Sequence, residues 1–594
     1  MKSFAKTSGM LLPFTLFVAT TMGNAEASPP ECAIAGDSFR TLEDLQKGSL
    51  AADASLLLRF AQISDAHILD DDGQILNGLS PLDPVHPILE SAQRFQDEYT
   101  DEVLNSMLGT INACNDKQKV EFMISTGDNV DLGTVSELRR FIDNIDGIAD
   151  QPSAFEKKCR ASLPADTPEA VLDLLCTRFT GKGLPDTQTV DPKPDDLTYQ
   201  LLYTRMPRQL LDTETAVLTG RDEQGNTHPD LQTATRAPGL PRGLRCELNA
   251  SGCDKNALSP AIPWYAVFGN HDGTARGTVT YEPGLQEISL ATGRHYMQQQ
   301  HEFIDEFFQT SSLPVGHGFE QVPFPRMNDG DPRNDGYYAF DRSNSGGTTF
   351  RLIVLNTLID GVDGDLATVD AGALGPANVR NPLALDTGAI DDEQFGWLAA
   401  ELENPANANK LVLVFSHHPD RSFSEFGTFA FTPPGYKKAA EVDELLAEHP
   451  SVIAWIAGHT HRNLIRAFKV TDGKGSNGDV TDVTVNCPSG KTCPGFWQIE
   501  TSSLIDTPEE ARIIEIFDNG NGTGVIKATL IEHDFQKSRD LADADDRCQF
   551  YLTDPGSVQR LVTEADLSAI CTQGASPRSG DPKDRNVNLV FAMP

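Results

Sequence analysis

Five mostly apolar runs in this chain stop abruptly in short polar clusters, and any fold of the chain has to account for all five stops. Leu56 to Ile63 ends in Ser64-Asp65-Ala66-His67. Val120 to Thr126 ends in Gly127-Asp128-Asn129. Ile262 to Phe268 ends in Gly269-Asn270-His271-Asp272. Leu411 to Phe415 ends in Ser416-His417-His418-Pro419, and Val452 to Ala457 ends in Gly458-His459-Thr460-His461. Short apolar runs bounded by turn residues read as buried strands. In open α/β sheets, ligands sit outside the carboxyl ends of the strands. The pattern therefore predicts an α/β protein in which Asp, His and Asn from five strand ends meet at one site.

The residue types at those ends suit metal ions. Asp65-x-His67 places a carboxylate and an imidazole on the same side of an extended chain, and His459-x-His461 repeats that spacing with two imidazoles. Asp128 offers a carboxylate able to bridge two ions, Asn270 a neutral carbonyl oxygen, and His417 a further imidazole. This is too many groups for one ion and enough for two. Oxygen mixed with imidazole suits Mn, Fe, Zn or Co better than Mg or Ca. A pair of such ions forms the clamp used for in-line displacement at phosphorus.

Charge points the same way. The chain has 86 acidic and 48 basic residues, a formal net charge of −38. Such a surface repels nucleic acid and anionic lipid, so neither is an expected partner. An anionic substrate would approach against the net field, and two cations would supply the missing local positive charge.

Taken in order, Asp-x-His, Gly-Asp, Gly-Asn-His-Asp, His-x-Pro and Gly-His-x-His resemble the calcineurin-like metallophosphoesterase superfamily. The resemblance covers roughly 56–145, 259–275 and 346–535. It implies a β-sandwich of two mixed sheets flanked by helices, and a dinuclear phosphoester hydrolase acting on a small-molecule substrate. It implies one metal held by Asp65, His67, Asp128 and His461, and another by Asp128, Asn270, His417 and His459. A bridging hydroxide would attack phosphorus, His271 would protonate the leaving alkoxide, and Asp272 would orient His271. His417 is chosen over His418 because Pro419 stands two residues after it. The alternative is a non-catalytic scaffold of the same fold; such scaffolds lose ligands or the acid, and here all remain. Purple acid phosphatases of the superfamily carry Tyr where this chain has Asp131, which argues against an iron–tyrosinate centre. The nucleotidases continue Gly-Asn-His-Glu, unlike Gly269-Asn270-His271-Asp272, so the resemblance leaves the substrate open between phosphomonoester and phosphodiester.

Residues 1–27 read as a secretory signal: Lys2 and Lys6, a mostly apolar stretch from Met10 to Met22 too short for a membrane span, and Ala25-Glu26-Ala27 as a cleavage site. Export to the periplasm or the medium follows, with no stable membrane insertion. Residues 28–55 form a lead-in, 56–535 the catalytic domain with insertions at about 146–258 and 273–335, and 536–594 an extension packed on the outside. Within the domain, helices are expected from about Ile88 to Ile111, from Glu137 to Ile145 behind a Thr134–Glu137 capping box, from Gln298 to Phe308, behind an Asp391 cap, and from Ala439 to His449. A hairpin is expected around Asn519-Gly520-Asn521-Gly522.

The ten cysteines follow the signal, and an even count in an oxidising compartment reads as five disulfides. Cys246–Cys253, Cys487–Cys493, Cys159–Cys176 and Cys548–Cys571 are close in sequence, which would leave Cys32 for Cys114, although the count alone does not fix any pairing. The mature protein is expected to begin at Ser28 and to show few or no free thiols. N-terminal sequencing and thiol titration of the denatured, unreduced protein check this, and several free cysteines would overturn the disulfide reading.

Overall fold

The computed structural model describes residues 32–69, 99–146, 262–273, 300–323, 336–358, 388–423, 435–470, 482–485, 493–533 and 577–594, apart from isolated positions within them. It also describes the short hairpin Leu248–Asn249 and Gly252–Cys253, and single positions near 277 and 535–542. The signal segment, the acidic loop 329–335 and nearly all of the 146–258 insertion lie outside the described residues.

Two seven-stranded mixed sheets dominate these residues. The first runs in the spatial order Arg40–Leu42, Val587–Ala592, Thr523–Glu532, Glu510–Asp518, Ser55–Ile63, Met123–Ser125, Trp264–Ala266. Its last three strands are parallel to one another. The second runs Asp482–Val485, Leu464–Val470, Phe496–Glu500, Val452–Ala457, Leu411–Phe415, Thr349–Val354, Tyr338–Ser343. In it, Thr349–Val354, Leu411–Phe415, Val452–Ala457 and Phe496–Glu500 are parallel. Parallel strands are covered on both faces. That is why Leu411–Phe415 and Val452–Ala457 are buried at every position rather than at alternate ones.

One apolar core joins the inner faces of the two sheets. Phe60 of the first sheet stacks on Phe122 at 4.8 Å and meets Phe415 of the second sheet edge-on at 5.9 Å. Gln62, fully buried, pins the sheets together: its amide donates to Thr126 Oγ1 and to the Ala457 carbonyl, each at 3.1 Å, and its carbonyl accepts from Thr501 Oγ1 at 2.6 Å. A satisfied polar group in a dry core fixes one alignment of the sheets, because any slip would leave it unpaired. Helices Thr100–Lys117 and Val135–Asp146 extend this core through Val103, Leu104, Met107, Leu138 and Phe141. Helices Asp392–Glu403 and Ala439–Ala447 close a second core on the other sheet through Leu398, Leu402, Val442 and Leu446.

The local signals behaved as their chemistry requires. Thr134 and Glu137 form the reciprocal capping box, and Asp391 accepts from the Gln394 N–H. Glu510–Asp518 and Thr523–Glu532 pair antiparallel across the expected turn. The helix expected from Gln298 to Phe308 forms over Gln300–Phe307, and Phe303 and Phe307 pack on Phe268 and Trp264, so this part of the second insertion belongs to the core. The helix expected to end at Ile111 continues to Lys117. Cys32 and Cys114 form a disulfide that ties the lead-in to this helix, and Cys493 is disulfide-bonded as well. No cysteine is free among the described residues.

Two expectations change. The lead-in and the C-terminal extension were expected outside the domain, yet Arg40–Leu42 and Val587–Ala592 are strands of the first sheet. The sequence Val587-Asn588-Leu589-Val590-Phe591 carries enough apolar residues to cover the core, and Val587, Leu589 and Val590 are fully buried. Leu589→Ala is accordingly expected to destabilise the protein by about 2–5 kcal/mol, the usual cost of such a truncation in a core. Urea unfolding measures this; a loss within about 0.5 kcal/mol would return the strand to the surface.

Candidate metal centre

The parallel strands of both sheets run their carboxyl ends to one place, and the backbone there is unusual. Past its last strand residue the ladder continues, with Asp65 N donating to Gly127 O, His67 N to Asp128 O and Gly458 N to His417 O, each at 3.0 Å. Asp65, His67, Asp128, His459 and His461 all have positive φ, between 44° and 66°. For residues with a Cβ this conformation costs roughly 1–3 kcal/mol each and persists only where the surroundings impose it. Here the turn out of each strand aims the side chain across the sheet end instead of along it. Gly127 makes that possible: at φ +93°, a Cβ on it would lie 2.5 Å from His417 Nδ1.

The structure brings every sequence-predicted ligand together, in two groups. Asp65, His67, Asp128 and His461 offer ligand atoms that all lie within 4.8 Å of one another. His461 Nε2 is 3.1 Å from Asp65 Oδ1, and His67 Nε2 is 3.6 Å from Asp128 Oδ2. Beside them, Asn270 Oδ1 is 2.9 Å from His417 Nε2 and 3.1 Å from His459 Nδ1, and His417 Nε2 is 3.2 Å from Asp128 Oδ2. Asp128 belongs to both groups. His418 turns its Nδ1 to Thr357 Oγ1 at 2.8 Å, although a ring nitrogen of it also comes within reach of His417 and His459.

These residues fit metal ions on three counts. First, Asp65 Oδ1 is fully buried with no hydrogen-bond donor, while imidazole nitrogens approach it from three sides at 3.1–4.0 Å. Second, the imidazoles are held from behind. His67 Nδ1 faces Asp131 Oδ1 at 3.0 Å, His417 Nδ1 faces the Thr126 carbonyl at 2.8 Å, and His461 Nδ1 faces Asp506 Oδ2 at 2.5 Å. These partners only accept, so each Nδ1 carries the hydrogen and each Nε2 presents a lone pair inward, the usual arrangement of ligating histidines. Third, the inward nitrogens converge, His67 Nε2 on His461 Nε2 and His459 Nδ1 on His417 Nε2, both at 3.3 Å. Lone pairs pointed at one another repel unless a cation lies between them.

The charges are arranged to match. Burial pushes the Asp128 carboxyl up, but His417, His271 and His67 together hold it well below the usual carboxylate range. Burial lowers His417, and the charge of Asp128 outweighs it, raising its pKa to about 9, so without an ion its Nε2 holds a proton that a bound metal would displace to gain the lone pair. Burial, and then the charge of His417, keeps His459 well below the usual imidazole range, and burial, then His459 and His417, does the same to His418.

His271 stands beside the ligands. Its ring lies edge-on to His67 with centroids 4.3 Å apart, and its Nε2 is 3.9 Å from Asp128 Oδ2. Its Nδ1 is 3.0 Å from the Asp131 carbonyl and 3.4 Å from Asp131 Oδ1. Gly277, at φ +72°, leaves room at the other nitrogen: a Cβ there would sit 2.6 Å from His271 Nε2.

Asp272 does not do what was expected of it. Its carboxylate accepts from Gly269 N, Asn129 N, Asn129 Nδ2 and Val130 N at 2.8–3.2 Å, and none of these donors is on His271. Burial, then the charge of Asp128, pushes its pKa up to about 8, while the backbone donors pull it down. Against that push, four N–H groups facing two oxygens favour the ionised form, since a carboxylic hydrogen would oppose one of them. Asp272 clamps the loop that carries Asp128, and Asp131 orients His271. Sequence reasoning read Asp131 only as the absence of a tyrosine. It also missed Asp506, six residues past the strand Phe496–Glu500, whose end is the signal that could have pointed to it.

Residues 244–463 match the family model of the calcineurin-like phosphoesterases. Residues 244–463 carry a calcineurin-like phosphoesterase domain. The matched span includes Asn270, His271, Asp272, His417, His459 and His461; Asp65, His67 and Asp128 precede it, and the first sheet delivers them to the same place. Among solved structures, a dimetal phosphatase from Danio rerio is 12% identical, with a TM-score of 0.33, over 81% of this chain and 100% of its own. GAP50, the anchor in the inner membrane complex of Plasmodium, is 12% identical, with a TM-score of 0.24, over 88% and 100%. No curated protein matches the chain.

The clamp role of Asp272 has a measurable consequence for the phosphoesterase domain. Asp272→Ala strands several buried N–H groups at about 1–3 kcal/mol each, so urea unfolding is expected to show a loss of about 3 kcal/mol or more. A fully stable Asp272→Ala protein would contradict the clamp.

Proposed function

We propose that this chain is an exported hydrolase of small-molecule phosphoesters, monoesters or diesters, working with two bound transition-metal ions such as Mn, Fe, Zn or Co. The observation that carries the reading is the convergence of buried oxygens and inward imidazole nitrogens around Asp65 Oδ1, with His271 adjacent and turned by Asp131. Asp65, His67, Asp128 and His461 would hold one ion, and Asp128, Asn270, His417 and His459 the other. When bound, the ions would neutralise phosphoryl charge and acidify a water molecule for attack on phosphorus.

The chain's own residues supply the rest. The Asp131 carbonyl can only accept, so His271 Nδ1 keeps its hydrogen and the proton for the leaving group resides on Nε2. The carboxylates of Asp128 and Asp131, at 3.9 and 3.4 Å, stabilise the imidazolium that carries it. His271 is 8% exposed, where Asp65, Asp128 and His417 are at 1% or less, so its ring lies nearer the surface than those ligands do. Nothing in the acidic surface attracts a phosphoester, which leaves the site itself to supply the attraction.

Comparing Asp128→Asn with His271→Ala tests the assignment. Asp128→Asn is expected to lower metal content and activity together. His271→Ala is expected to keep about two metals while kcat falls roughly 10²–10⁴-fold on alkyl phosphoesters, the range for general acid–base groups, and less on aryl esters whose leaving groups need little protonation. Elemental analysis beside rates on both substrate types gives the answer. Loss of metal from His271→Ala would make His271 a ligand, and a metal-loaded wild type inert on a broad phosphoester panel would favour a binding scaffold.

A further inference from the structure

We propose that Arg578, in the C-terminal segment, is a positioning residue of the candidate metal centre, holding Asp506 against His461. The inference rests on reading His461 as a metal ligand. It extends the site beyond residue 463, where the family match ends.

The chain of contacts is short. Arg578 Nη1 lies 2.6 Å from Asp506 Oδ2, the same oxygen lies 2.5 Å from His461 Nδ1, and His461 Nε2 lies 3.1 Å from Asp65 Oδ1. The Asp506 side chain is 3% exposed and that of Arg578 23%, so the guanidinium reaches inward from the surface to a carboxylate out of contact with water. A buried carboxylate needs a compensating cation. Arg578 supplies one as an ion pair on the oxygen that His461 Nδ1 faces, and the imidazole keeps its place.

The backbone around Arg578 is fastened to the loop it serves. Asn463, two residues after His461, donates its N–H to the Arg578 carbonyl at 2.8 Å. Gly580, at φ +75°, lies flush against the same residue: a Cβ on it would sit 2.4 Å from the Asn463 carbonyl oxygen. Fully buried Arg512 donates to Asn463 Oδ1, to the Asp584 carbonyl and to the Arg585 carbonyl, locking loop and tail into one unit. Asp584 Oδ1 accepts from Ile465 N at 3.0 Å, just beyond that loop. The tail therefore cannot shift without moving the segment that carries His461.

Partners of this kind behind a ligating histidine fix its ring and raise its basicity, and losing one typically costs 10–100-fold in metal affinity. Without the guanidinium, Asp506 loses the cation that offsets its burial and is free to turn away, and His461 loses a fixed Nδ1 partner.

The test uses the full-length protein, with Mn²⁺ titrated by calorimetry into wild type, Arg578→Met, Arg578→Lys, Asp506→Asn and the Arg578→Met/Asp506→Asn double variant. Thermal melting checks folding in each. The expected result is that Arg578→Met weakens one of two Mn²⁺ sites about 10–100-fold, that Lys restores most of the loss, and that the double variant is no worse than Asp506→Asn alone. Additive losses in the double variant would mean that Arg578 does not act through Asp506, and would overturn the proposal. So would wild-type Mn²⁺ affinity in Arg578→Met. Should Arg578→Met fail to fold, the comparison of Arg578→Lys with Asp506→Asn carries the test: Lys near wild type with Asn weakened supports it, and Asn at wild-type affinity overturns it. A wild type that binds no Mn²⁺ would sink the metal-centre reading itself, a distinct result.

Discussion

Asp65 and Asp128 are buried carboxylates set among imidazoles at the junction of two sheets, and most of the architecture answers the cost of putting them there. A charged group leaves water only where opposite charge, hydrogen-bond donors or metal ions replace it. In this chain the replacement is layered. Imidazole nitrogens face the carboxylates, and carbonyls and further carboxylates stand behind the imidazoles. Behind one of those carboxylates stands Arg578, from near the chain's end. Each layer comes from a different part of the sequence, so the site exists only when both sheets are complete.

The same cost explains the backbone. Five proposed ligands sit in the left-handed region. The strain is held by ladder bonds that run past the strand ends and by the Asp272 clamp on the Asp128 loop. The clamp is itself a buried carboxyl group, so one acidic residue is buried to keep another, Asp128, in place. Gln62, bonded to residues of both sheets, does the corresponding work at the level of the sandwich. If the sheets slid by one residue, each ligand group, which draws residues from both sheets, would come apart.

Part of this was legible without coordinates. Strand ends are marked by the change from apolar to polar residues, and ligand pairs at i, i+2 follow from the period of an extended chain. The Thr134–Glu137 capping box and the Asn519-Gly520-Asn521-Gly522 turn are local chemistry, readable from a few neighbours. The roles of Asp131, Asp272 and Asp506 were not legible, because which imidazole a carboxylate faces depends on how loops from different strands cross. The position of Val587–Ala592 was not legible either: its pattern allows a strand, but only the open edge of the first sheet says where that strand goes.

The sequence by itself determined the α/β character, the five strand ends and the identity of the proposed ligands, since those follow from residue type and short-range spacing. Only the tertiary structure decided that Asp131 rather than Asp272 turns His271, and that Arg40–Leu42 and Val587–Ala592 are strands of the first sheet. It alone placed Arg578 behind His461. Those facts are contacts between segments far apart in the chain, and no local pattern encodes which distant partner a side chain will meet.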